Sequence, residues 1–152
     1  MSSSYSNKPV SLADTLDDLL SIHSEIKSLL YKLGYDGENI QFNRNNPEEF
    51  FLYEEYRMLA DTLSSVDYKL AYLAKPILEE GYLSLNSLGR YELPSGYDLT
   101  SGSTCEILIY DEFDEVEKWL LTSIEHDSDY YPSKLGTKFK LDGAYVRVRN
   151  SF

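Results

Sequence analysis

Leu52, Tyr56, Leu59, Leu63, Val66, Leu70, Leu73 and Ile77 recur at alternating gaps of four and three. Eight apolar positions in that rhythm lie along one side of a helix and ask for a helical partner. An earlier stretch supplies one. Leu12, Leu16, Leu19, Ile26, Leu30 and Leu33 follow the same rhythm, with His23 filling the one gap of seven. A polar residue at a seam position sets register more often than it binds a ligand. Ser11 with Asp14 three residues on reads as an N-cap, and Gly34 as the stop after the last turn. Residues 34–46 are rich in turn formers, and Asn46-Pro47 followed by Glu48 and Glu49 opens the second helix. Two such helices joined by a short connection predict an antiparallel helical hairpin over 11–80, after a disordered tail at 1–10. Pro76 lies near the second helix's end, where it stops or kinks it. The first helix is shorter, which leaves part of the second with a free face. That face can pack on the C-terminal domain or on a second copy, giving a homodimer through the helices.

From Gly81 the period changes from helical to alternating, so 81–152 forms a separate β domain. Tyr82, Leu83 and Leu85 suit a short strand or a link. Residues 89–93 suit a strand closed by Pro94-Ser95-Gly96, and Tyr97 and Leu99 lead into a further turn. Cys105, Ile107 and Ile109 alternate with Glu106, Leu108 and Tyr110. Phe139 and Leu141 precede Asp142-Gly143, a hairpin signal. Tyr145 to Arg149 then sends Val146 and Val148 one way and Arg147 and Arg149 the other. Between these lies a segment that fits two forms. Phe113, Val116, Leu120 and Ile124 fit a helix with an acidic first turn. Leu120, Thr122 and Ile124 fit a strand over 118–126, which the strands on either side favour. The expected class is α+β: the helical hairpin, then a small antiparallel β-barrel of SH3-like type with about five strands.

GRYEL (89–93), YDLTSG (97–102), EIL (106–108), Trp119, IEHD (124–127), YY (130–131) and LDGAYVRVR (141–149) occur in this order. This run resembles a family of small uncharacterised domains found in plasmids, phages and integrated elements of Gram-positive bacteria. The resemblance covers roughly 81–149 and leaves the helical hairpin outside. It implies no activity and no catalytic residues, and it supports the strand over 118–126. The chain departs from that pattern in a longer acidic turn, DEFDEVEK. In size and charge the whole chain also looks like the anti-CRISPR proteins, which inhibit Cas nucleases.

The formal charge is −12, and the chain holds fourteen Tyr. That charge disfavours direct binding to nucleic acid and suits a basic groove on another protein. From Glu106 to Asp129 nine acids face one base, Lys118; from Lys134 to Arg149 five bases face one acid, Asp142. One reading is a solvated acidic face relieved by the neighbouring basic hairpin. The other is a docking surface: Asp111, Glu112, Asp114, Glu115, Glu117, Asp127 and Asp129 meet cations of the partner, with Phe113 and Trp119 as anchors. The matching partner is a host protein with a basic groove, such as a Cas9-type nuclease. The alternative is a nucleic-acid-binding accessory protein that uses Lys138, Lys140, Arg147 and Arg149.

No catalytic set is visible. Cys105 stands alone, so no intrachain disulfide or Cys-rich metal site is expected. His126 lies between Glu125 and Asp127, but neighbours on a strand face opposite ways and cannot converge on a metal. Ser101 has no base beside it, and neither a P-loop nor a dinucleotide fingerprint occurs. The expectation is a non-enzymatic protein with no cofactor and no metal. Residues 1–10 contain no apolar run of signal-peptide length, and no run reaches membrane-spanning length, so a cytoplasmic place is expected.

Overall fold

A computed structural model describes residues 4–150. Of the expected tail, residues 1–3 lie outside the described residues, and 4–10 carry neither helix nor strand. The chain divides into two compact units, Met1–Ala74 and Lys75–Phe152.

The first unit is the two-helix hairpin. α1 (Leu12–Leu33) starts where the Ser11 side chain accepts the Asp14 N–H, and ends at Gly34, whose φ of 84° is left-handed. The Tyr35 N–H returns to the Leu30 carbonyl at 2.8 Å, closing the last turn. α2 (Pro47–Ala74) starts on Asn46, whose Oδ1 accepts from the N–H groups of Glu48 and Glu49. α2 stops before Pro76, since a residue that precedes proline is pushed out of the helical region. Ile77, expected to end the helical seam, therefore lies in a strand.

The helices meet through Ile26, Leu30, Ala60 and Leu70, with Leu33 and Leu63 packed beside them. His23 Nε2 sits 2.6 Å from Asp67 Oδ1, so the polar seam position is tied to the facing helix. Ala60 carries the close approach, and the seam turns away from the line drawn by leucine spacing. Leu12 is exposed, and so are Leu59 and Val66.

The second unit holds eight strands: β1 (Ile77–Tyr82), β2 (Ser84–Leu85), β3 (Tyr91–Glu92), β4 (Asp98–Leu99), β5 (Thr104–Asp111), β6 (Val116–Asp127), β7 (Asp129–Pro132) and β8 (Tyr145–Arg149). A five-stranded sheet runs β1-β8-β5-β6-β7, and a three-stranded sheet runs β2-β3-β4. All pairings are antiparallel. The expected barrel of about five strands is corrected on this point. Among the described residues no closed barrel forms, because β1 and β7 end the larger sheet without pairing to each other. One apolar cluster joins the two sheets: Leu83, Tyr91, Leu93 and Leu99 with Cys105, Ile107, Ile124, Leu141, Val146 and Val148.

The ambiguous segment resolves as turn and strand, with β6 running through 118–126 as expected. The expected C-terminal hairpin does not form. Phe139 and Leu141 lie in a looped segment, not a strand. The turn at Asp142-Gly143 docks elsewhere: the Gly143 N–H donates to Leu83 O, and the Leu83 N–H to Ala144 O. β8 then enters the large sheet between β1 and β5.

Candidate functional site

β5 and β6 pair in unbroken register from Thr104 opposite Ser123 to Asp111 opposite Val116. The four residues 112–115 must therefore reverse the chain. Asp111 organises that reversal. Its Oδ1 accepts from the Phe113 N–H at 2.8 Å and the Asp114 N–H at 3.1 Å, the local bond that suits Asp to turns. Its other oxygen pairs with Lys118, whose Nζ also lies 3.6 Å from Asp114 Oδ2. Lys118 first, then the two N–H groups, hold the Asp111 carboxyl below its ordinary value, and Asp111 in turn raises Lys118. Glu115 closes the turn at φ 55°, a left-handed conformation unusual for a side chain other than glycine.

The turn places Phe113 in solvent at 94% exposure. Tyr110 and Val116 are exposed beside it on the flanking strands. Glu112, Glu115 and Glu117 are exposed residues of the same turn and strand end, and among the described residues none of the three makes an ion pair. The tip thus holds Phe113 out among carboxylates, with Tyr110 and Glu117 on one face of the ribbon and Val116 on the other, and Asp111, Asp114 and Lys118 fix the turn. Sequence reasoning named Phe113 and the acids. Tyr110 stood out in the sequence as one of the aromatics interleaved with the acids; Val116 at the tip was missed, because only the β5–β6 register brings it there.

The other candidates lie apart. Asp127 and Asp129 bracket the opposite end of β6, roughly 35 Å along the strand from Val116. Asp129 is also engaged, since Tyr91 Oη donates to its Oδ2 at 2.8 Å. His126 is the penultimate residue of β6 and packs edge-on with Tyr130, the ring centroids 4.6 Å apart. Among the described residues no three His, Cys, Asp or Glu side chains gather as a metal site. Trp119 is half-buried on the β6 face shared with Glu117, and Arg147 stacks over its ring at 4.2 Å.

The proposed basic patch is split. Glu106, buried on β5, takes Arg147 at 2.7 and 3.0 Å and Arg149 at 2.8 Å. Lys138 and Lys140 are exposed on the looped segment that precedes β8. The larger sheet also carries an open groove of about 660 Å³ lined by Tyr82, Leu108, Glu117, Phe139, Gly143, Ala144 and Tyr145. Burial, and then Glu80, raise the Tyr145 hydroxyl's pKa. Cys105 is fully buried in the core, and burial pushes its thiol up to about 12.

Among the described residues no helix is long and apolar enough to cross a membrane. Residues 81–149 match a family described as a domain of unknown function (DUF5348). That match covers the strand-rich part from the end of β1 through β8. No curated protein matches the chain, and no solved structure does.

Proposed function

We propose that the chain is a non-enzymatic protein-binding module whose β5–β6 tip docks in a basic groove of a host protein. The observation that carries this reading is the tip itself, where Phe113 stands 94% exposed among Glu112, Glu115 and Glu117. A large apolar side chain held in water gains free energy only when something covers it. An aromatic anchor ringed by charge is the pattern of an interface hot spot with a steering rim. Asp111 and Lys118 fix the turn in advance, which lowers the ordering cost of docking. In its finer form the proposal is an inhibitor carried by a mobile element, an anti-CRISPR that keeps DNA out of the groove of a Cas9-type nuclease. The net charge of −12 supports that form. The nucleic-acid-binding alternative has less support, because Glu106 already meets the charges of Arg147 and Arg149.

Affinity capture from a Gram-positive lysate tests the proposal. The wild-type chain should retain a basic protein that Phe113→Ala and the triple change Glu112→Lys, Glu115→Lys, Glu117→Lys both lose. Added salt should weaken capture steeply. Capture unaffected by either variant defeats the reading. So does a low-salt gel shift of duplex DNA that disappears with Lys138→Ala plus Lys140→Ala.

A further inference from the structure

The first unit leaves an apolar stripe bare. Tyr56, Leu59 and Val66 on α2 are 45, 59 and 40% exposed, although they continue the spacing that buries Leu70 on the same helix. Ile22 and Leu29 on α1 are 48 and 42% exposed. His23 opposite Asp67 fixes the register of the antiparallel pair. It brings Ile22 level with Tyr68 and Leu29 level with Asp61, so Ile22 lies within a turn of Val66 and Leu29 within a turn of Leu59. Together these five side chains expose on the order of 400 Å² of largely apolar surface, the size of the largest patch on a typical monomer, which is often an interaction site. The unit's own buried cluster has only four members, a small core for two helices of 22 and 28 residues.

The charges beside the stripe say what covers it. Glu55 and Lys69 flank it on α2, both exposed and neither in an ion pair among the described residues. They lie seven residues before and seven after Thr62. A second α2 running antiparallel, with its two-fold axis at Thr62, sets each Glu55 opposite Lys69 of the other copy. The same axis lays Leu59 and Val66 of one helix against Val66 and Leu59 of the other. A parallel helix would instead place like charges level. The stripe therefore matches itself in apolar spacing and in charge, which is what a two-fold interface requires.

We propose that α2 pairs antiparallel with α2 of a second copy about an axis at Thr62, forming a homodimer. This surface belongs to the first unit, whereas the β5–β6 tip belongs to the second.

Sedimentation equilibrium on the full chain tests it. The wild type should show twice the chain mass of 17.5 kDa. Leu59→Glu with Val66→Glu, both exposed in the single chain, should give the monomer mass with an unchanged helical spectrum. Glu55→Lys alone and Lys69→Glu alone should each weaken the dimer roughly tenfold, since each change alters two symmetric pairs. The double exchange Glu55→Lys, Lys69→Glu should restore it. Thr62→Cys should join two copies through a short bismaleimide, with the buried Cys105 silent. A monomeric wild type overturns the proposal, as would be expected if another protein or the second unit covers the stripe. A dimer that survives Leu59→Glu with Val66→Glu overturns it. So does one indifferent to the charge exchanges.

Discussion

Glu106→Gln is the substitution that should disturb the β unit most for the smallest change in shape. The carboxylate retains only 8% of its side-chain surface and faces two guanidinium groups, Arg147 and Arg149, which retain 22 and 15%. Arg147 lies directly across the β5–β8 ladder and also covers Trp119. Removing the negative charge leaves two cations side by side with little water. Breaking a buried pair by deleting one partner costs about 3–5 kcal/mol. The residual exposure of both arginines lets them rehydrate in part, which brings the expected cost to about 2–4 kcal/mol. A unit the length of Lys75–Phe152 has roughly 4–12 kcal/mol in total to lose. At about 1 kcal/mol per molar urea for a unit of this size, the midpoint should fall by roughly 2–4 M. Trp119 is the only tryptophan, so its fluorescence reports unfolding of this unit specifically. Arg147→Ala should cost less, because Arg149 still serves the carboxylate. Replacing all three with Glu106→Leu, Arg147→Met and Arg149→Met should recover most of the loss, since the pair must offset its own desolvation. A Glu106→Gln midpoint within 0.5 M or so of wild type would refute the reasoning: the arginines would then be solvated, and the cluster merely superficial.

Three further outcomes follow from the same geometry. Gly81→Ala should destabilise the β unit by about 1–3 kcal/mol in urea unfolding, because an added Cβ would stand 2.9 Å from Pro94 Cδ; an unchanged midpoint would mean the Pro94 turn moves freely. Cys105, fully buried with its thiol raised to about 12, should resist iodoacetamide at neutral pH until denaturant is added, and labelling of the native chain would contradict its burial. Asp111 has a folded pKa held below its ordinary 3.8, chiefly by Lys118. Its contribution to the turn is therefore complete above 3.8 and is lost as pH falls through the lower folded value. Carboxyl NMR should find its midpoint below 3.8 and rising in Lys118→Ala; a wild-type midpoint at or above 3.8 would refute the pairing.

The helix boundaries were legible because caps act locally: Ser11, Gly34 and Asn46 work through atoms a few residues away. The line of contact between helices was less so. Leucine spacing pointed to Leu59 and Val66, but Ala60 is the residue small enough to let the helices meet. Alternation located β5, β6 and β8, since each has one face in the core. It could not show their order. Phe139 and Leu141 alternate like a strand, yet they pack as a loop because the following turn bonds to Leu83. The acids of the tip were visible in the sequence as composition. That Asp111 and Asp114 are occupied by Lys118, while Asp127 and Asp129 sit at the far end of β6, depends on register.

The strand order has a consequence for biosynthesis. β8 is the last of these eight strands to leave the ribosome, yet it lies between β1 and β5. β1, made some sixty residues earlier, has no other neighbour in the sheet. During translation the helices can close on each other, and the β5–β6 ribbon can zip from its turn outward. β1 must wait with its ladder unpaired until β8 threads in beside it. Pairing over that span closes slowly. A nascent chain arrested before Tyr145 would therefore expose an unsatisfied edge on both β1 and β5, the kind of surface on which chains aggregate and chaperones act.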